Sequence, residues 1–320
     1  MRQAPFSRAG LERLKEPDTL RRNGGVWLVA LGAALWGTNS ILRVEMLHTF
    51  TSSQIVFLEH LLLAVYALPM LIFARRQLAR LSAKEWAAIL FLSWGGSGLA
   101  TILFTASFQY GHPNLVLLLQ KVQPVFVLLI ARVMLKELLP RRFGGYLLIA
   151  MIGTYLVTYG FTLPWADFTN ANGMAAMLAL GAAVLWGGST VMGRLVLDKM
   201  SFETLTAARF LFALPFLYAV VVISGEAVPQ MWNALGDLDT LGNLVLQALL
   251  PGLFSLLLYY RGLSTTTASY ATVAELAFPA TGLLLNWIAL GSVLTAGQAI
   301  GFLVIWWAIY QLGKGTEREA

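Results

Sequence analysis

The chain has 320 residues, of which 58% are hydrophobic and only 12% charged, with a mean hydropathy of +0.71 and a formal net charge of +6. An average soluble domain carries roughly 25% charged residues, so this composition cannot cover a water-facing surface and points to a membrane protein. Cysteine is absent, which excludes disulfides and thiolate chemistry, and His48, His60 and His112 fall in separate segments, so no metal site or other cofactor is expected.

Residues 1–25 read as a polar cytoplasmic extension, because Arg2, Arg8, Arg13, Lys15, Arg21 and Arg22 are interleaved with Glu12, Glu16 and Asp18. No apolar core precedes Val26, as a signal peptide would require. A helix needs about 20 apolar residues to cross a ~30 Å hydrocarbon core. Candidates fall at about 26–47, 54–74, 86–110, 114–135, 143–163, 172–196, 203–224, 240–262, 267–289 and 295–313. The predicted fold is therefore an all-α polytopic membrane protein with ten transmembrane helices. All basic residues except Arg43, Lys121, Arg132 and Arg209 lie in the tails, in the loops after the even-numbered spans or, as Arg194 and Arg261, at the last residues of those spans. Asp167, Glu226, Asp237 and Asp239 occupy the opposite loops. The positive-inside rule then places both termini in the cytoplasm. It also accounts for the net charge without a nucleic-acid partner.

The sequence repeats itself. LGAALWG at 31–37 lies on GAAVLWG at 181–187 with an offset of 150, matching Trp36–Gly37 to Trp186–Gly187. Residues 106–126 lie on 261–281 with an offset of 155, which pairs Pro124 with Pro279. Two five-helix repeats follow, 26–163 and 172–313. An odd number of spans inverts the second relative to the first, as in many secondary transporters. The ALWG and VLWG motifs at 34–37 and 184–187 resemble those of the drug/metabolite transporter superfamily, specifically its EamA branch. So does the stretch from Phe104 through the proline helix to LKELLPRRFGGYLLIAMIGTYLV at 135–157. Glu137 in that stretch has no counterpart in the second repeat, where Ser292 stands. The resemblance implies export of amino acids, metabolites or cationic drugs without a nucleotide-driven motor, and no Walker-type loop is present.

Ionisable residues inside spans are the first places to look for function. From the ~1.5 Å rise per residue, Glu59 and Lys121 lie ~8 and ~10 Å from the outer face, at a level where they can pair. Glu275 lies ~12 Å from the inner face by the same rise, four residues before Pro279. Gln120 stands in the same relation to Pro124. A proline removes a backbone hydrogen bond and bends its helix, so Pro124 and Pro279 are read as helix bends that expose the preceding turn to a cavity. Glu275 is the leading candidate for a substrate or proton site, with Glu59 as a second proton carrier. Lys121, Gln120, Gln123, Tyr270, Tyr110 and Trp94 complete the expected substrate pocket, and the alternative for Glu275 is a buried neutral acid hydrogen-bonded to Thr272 or to a neighbouring helix. Arg209 is read as snorkelling to the cytoplasmic surface, and Arg43 as an interfacial charge.

These features predict a secondary active transporter of the inner membrane that exports a small organic solute, such as an amino acid, by alternating access. A carboxylate would face Lys121 and an ammonium Glu275, with protons as the coupling ion. Proton-coupled uptake or exchange of metabolites or cationic drugs is the alternative. An intramembrane enzyme is disfavoured because the spans hold no nucleophile–base pair or metal-ligand cluster. The expected partners are the solute and membrane lipid, and the chain is compatible with a monomer or a homodimer.

Overall fold

Long apolar runs leave backbone N–H and C=O groups no partner but each other in a bilayer, so they close into helices. The computed structural model describes residues 18–107, 109–110, 116, 119–139, 142–163, 173–225, 228–290 and 295–318, and contains helices and no strand among them. In chain order these are α1 (Asp18–Trp36), α2 (Asn39–Met46), α3 (Ser52–Phe73), α4 (Ala83–Ser107), α5 (Gln123–Met134) and α6 (Phe143–Tyr159). The second half holds α7 (Gly173–Leu197), α8 (Phe202–Ile223), α9 (Leu238–Leu263), α10 (Ala268–Ala274), α11 (Ala277–Leu290) and α12 (Ala296–Arg318), and two short helices, Arg75–Leu78 and Val228–Ala234, lie in the connections after α3 and α8. Six stretches are long and apolar enough to cross a membrane, namely α3, α4, α7, α8, α9 and the run Ala268–Leu285. Shorter apolar helices lie at Gly24–Trp36 and Ala296–Leu312 and in α5 and α6. Of the 1–25 extension, residues 1–17 lie outside the described residues, and from Asp18 onward it is already helical.

Helix starts follow local chemistry. Thr51 and Gln54 form a reciprocal capping box at α3, and the hydroxyls of Ser201 and Thr267 accept the Thr204 and Tyr270 amides at α8 and α10. Each of these satisfies an amide that the first helical turn leaves without an intrahelical partner.

The prolines act differently from the expected bends. The chain turns at Lys121–Val122 before α5, and again at Glu275–Leu276 between α10 and α11. Pro124 is the second residue of α5 and Pro279 the third of α11. A proline is tolerated in a first helical turn, where its missing N–H has no partner to lose. Each proline therefore starts a new helix after a break rather than bending a continuous one. Two wide π-helical stretches, Phe91–Leu99 and Ala248–Phe254, also coincide under the offset of 155. The first span breaks at Gly37–Thr38 between α1 and α2, whereas α7 runs unbroken through Trp186–Gly187. Gly37 is pressed against α11, where a Cβ would stand 2.8 Å from the Gly282 amide nitrogen.

The packing is two-fold in character. Helix α1 packs on α9 as α7 packs on α4, α3 packs on α8, and α6 packs on α12. Exchanging the halves leaves this pattern unchanged. Glycines let two of these seams close to backbone contact. A Cβ on Gly262 of α9 would stand 2.5 Å from the Gly25 carbonyl of α1, and one on Gly301 of α12 would stand 2.6 Å from the Gly153 carbonyl of α6. In the WGGSG run, a Cβ on Gly96 would overlap the Ser189 hydroxyl of α7, so these glycines serve close helix packing.

Glu137 ties the halves together at one place. Its carboxylate accepts the backbone amides of Ala268 (2.9 Å) and Ser269 (3.0 Å) and the Ser269 hydroxyl (2.5 Å), capping α10 from the loop after α5. Lys136 before it adopts a positive φ of 56°. Ser292, its counterpart in the repeat, lies outside the described residues.

Candidate functional site

The two breaks bring four of the expected residues to one cavity between the halves. Gln120 Nε2 donates to Gln123 Oε1 at 2.7 Å, and Gln123 Nε2 donates to Glu275 Oε2 at 2.7 Å. The other carboxylate oxygen of Glu275 accepts the Tyr259 hydroxyl at 2.7 Å and the Thr190 hydroxyl at 3.1 Å. Of the two partners expected for Glu275, the neighbouring helices hold it and Thr272, whose hydroxyl has no partner among the described residues, does not. The turn after α10 carries the carboxylate across to α7 and α9 instead. Lys121 Nζ sits 3.9 Å from the centre of the Phe278 ring, a cation–π contact reaching from one half to the other.

The cavity has a volume of about 220 Å³, more than ten times the ~10–15 Å³ that admits one water. Its walls obey the repeat. Trp36 and Tyr259 have ring centres 5.2 Å apart, and Trp186 and Phe104 have theirs 5.1 Å apart. Under the offsets of 150 and 155 these are the same pair exchanged between halves. His60 and Phe210 are also counterparts, and they meet edge to face at 5.4 Å. The shape of the cavity is two-fold and its chemistry is not. Glu59 is matched with Arg209, Gln120 with Glu275, Lys121 with Leu276, Gln123 with Phe278, and all of these line it.

Several expectations need correction. Glu59 does not pair with Lys121. It is bound by Arg43 Nη2 at 2.7 and 3.0 Å, and Gln247 also donates to it. The break at Gly37–Thr38 starts α2 afresh, and Arg43 on that helix reaches inward to Glu59 rather than resting at the interface. Arg209 does not snorkel. It is 8% exposed and donates to the Ser97 and Tyr260 hydroxyls, both at 2.5 Å. Three aromatic candidates lie away from the cavity. Trp94 is 44% exposed, donates to the Phe212 carbonyl at 2.9 Å and stacks on Phe216. Tyr110 is 47% exposed, and Tyr270 packs edge to face on Phe143 in the core. Trp94 and Tyr270 lie on helices as predicted and Tyr110 in the turn after α4, and tertiary packing keeps all three side chains out of the cavity. The residues that reasoning from sequence missed are Trp36, Trp186, His60, Thr190, Arg209 as a wall residue and Gln247. The repeated WG motif marked the first two.

The EamA-like transporter family matches residues 23–159 and again 173–313. The chain belongs to that family. Both matches coincide with the halves seen in the packing, so this EamA-like protein is a multi-pass membrane transporter built from two repeats. It is 30% identical over 305 residues to the riboflavin transporter ImpX of Fusobacterium nucleatum subsp. nucleatum, covering 91% of this chain and 97% of that one. An uncharacterized transporter of Archaeoglobus fulgidus is 29% identical over 259 residues, 78% of this chain and 84% of its own. A solved crystal structure with 14% identity superposes with a TM-score of 0.69 over 92% of this chain and 99% of its own, which supports the fold alone.

Proposed function

We propose that this EamA-like transporter moves a planar, hydrogen-bonding organic solute across the inner membrane by alternating access, with riboflavin as the first solute to test. The observation that carries this reading is the cavity itself. Four aromatic walls in two exchanged pairs enclose a polar centre of amides, two carboxylates, two guanidinium groups and an amine. Such walls suit a flat heteroaromatic ring, and the amides suit its imide edge and any hydroxyls it carries. The similarity to a riboflavin transporter supports the same choice. The two halves are inverted, both termini are cytoplasmic, and transport is outward and exchanged for protons at Glu275 or Glu59.

Purified protein reconstituted into liposomes should exchange labelled riboflavin with an excess of unlabelled riboflavin inside, and should accumulate it when a pH gradient is imposed in one direction. Equal rates in protein-free liposomes would refute the flavin reading. An amino acid is the second reading, because Lys121 and Glu275 line the same cavity and offer opposite charges. Exchange of labelled amino acids without exchange of riboflavin would establish it in place of the first.

A further inference from the structure

The cavity holds three cationic side chains, Arg43, Lys121 and Arg209, against two carboxylates, Glu59 and Glu275. Arg43 is matched by Glu59, and Lys121 shares the cavity with Glu275. Arg209 is left over. Among the described residues it makes no ion pair, and its hydrogen bonds go to two neutral hydroxyls. A guanidinium carries five N–H donors in a planar fork, and those two bonds use Nε and one proton of Nη1. Nη2 gives no hydrogen bond among the described residues. It lies at the cavity wall beside Gly96, whose missing side chain makes room for the Ser189 hydroxyl.

Other wall atoms are unsatisfied in the opposite sense. Gln120 Oε1, Gln247 Oε1 and His60 Nε2 are buried without partners among the described residues. His60 Nδ1 lies 2.7 Å from the Val56 carbonyl, which can only accept, so Nδ1 carries the proton and Nε2 of the neutral ring is an acceptor. Buried polar groups are costly unless paired, and an unmatched buried cation costs most.

We infer that Arg209 is the anchor for the electron-rich edge of the transported solute, either a carbonyl oxygen of an imide or a carboxylate. Hydroxyl or amine groups elsewhere on the solute meet the acceptors on His60, Gln120 and Gln247. The inference rests on the cavity being the solute site, and it sorts substrates by charge. Neutral imides and monoanions are accepted, and cations, which would meet an unmatched guanidinium, are rejected.

The test is binding to purified protein of riboflavin, of lumichrome (the ring system without its polyol), of orotate (an imide bearing a carboxylate) and of a cationic acridine dye of similar size. Wild type, R209K and R209Q are compared, with thermal unfolding to show that each is folded. R209Q should weaken the imide probes that bind wild type by at least about tenfold, the loss of one charge-assisted bond pair. R209K should fall between, because it keeps the charge and loses the fork. The dye should bind wild type least. Imide affinities within about twofold of wild type in R209Q overturn the inference. If R209Q does not fold, R209K within about twofold of wild type overturns it equally. Arg209-dependent binding of orotate without any flavin binding keeps the anchor and rejects the flavin reading. Wild type that binds none of the imide probes rejects both.

Discussion

Replacing Glu275 separates its structural from its functional part, because two substitutions have different consequences in the same hydrogen-bond chain. In Glu275→Gln the side-chain oxygen can keep the Tyr259 and Thr190 hydroxyls. The new amide nitrogen then faces Gln123 Nε2, donor against donor. Gln123 can turn its amide over, and so can Gln120, because Gln120 Oε1 is unpartnered and loses nothing. The relay reverses with every bond kept. The cost is the difference between charged and neutral hydrogen bonds, offset by removal of a buried charge, and stability should stay within about 1 kcal/mol of wild type. Glu275→Ala removes the acceptor altogether. Tyr259 can then donate to Thr190 across 3.0 Å and Thr190 to the Trp186 carbonyl at 3.3 Å, so one donor, on Gln123, is stranded. The destabilisation is then about 1–3 kcal/mol, the cost of one stranded buried donor. Chemical or thermal unfolding in detergent reads the difference between the two variants. In liposomes, Glu275→Gln should still exchange solute but should not accumulate it under a pH gradient. Accumulation in that variant with the pH dependence of wild type would refute the proton role. Equal destabilisation by Gln and Ala would refute the reversible relay.

Further outcomes follow from the same geometry. Glu137→Ala removes the acceptor for three donors at the start of α10 and should lower stability by about 1–2 kcal/mol, as loss of a helix cap does, with Glu137→Gln intermediate in the same unfolding assay. Gly262→Ala drives a methyl group into the Gly25 carbonyl and should cost about 1–3 kcal/mol or more. Gly242→Ala meets nothing within 4 Å and should be neutral or stabilising by up to about 1 kcal/mol, so melting curves of the pair test the packing directly. The Asp237 carboxyl is held below its ordinary value of 3.8 by the Thr240 hydroxyl and amide. Its contribution to the start of α9 is therefore present above that value and lost as pH falls through the lowered one. The stability difference between wild type and Asp237→Ala should shrink across that acidic range and stay constant above it.

The sequence made the apolar helices and the two repeats legible, and it marked the two prolines, though as bends rather than as helix starts. Apolar length, the WG pair and the proline register are all local signals, and the offset of 155 placed Gln120 on Glu275. What it could not supply was the direction a side chain takes around its helix axis. Glu59 and Lys121 share a level by helical rise, but Arg43 and Gln247 reach Glu59, because the break at Gly37–Thr38 depends on the approach of α11. The equivalent Gly187 stands in an unbroken helix, so the motif alone does not decide the break. Trp94, Tyr110 and Tyr270 failed as pocket residues for the same reason. Arg209 passed for a surface-seeking side chain because its two hydroxyl partners come from α4 and α9, far away in the chain.

The glycine seams also cross the boundary between the repeats. Where α1 lies on α9 and α6 on α12, main chain rests on main chain, with the Val29 and Leu156 side chains beside it. Both seams join one repeat to the other. The unit inherited by duplication is therefore not a packing unit of its own, because main-chain contacts of this kind tie its helices to the other half.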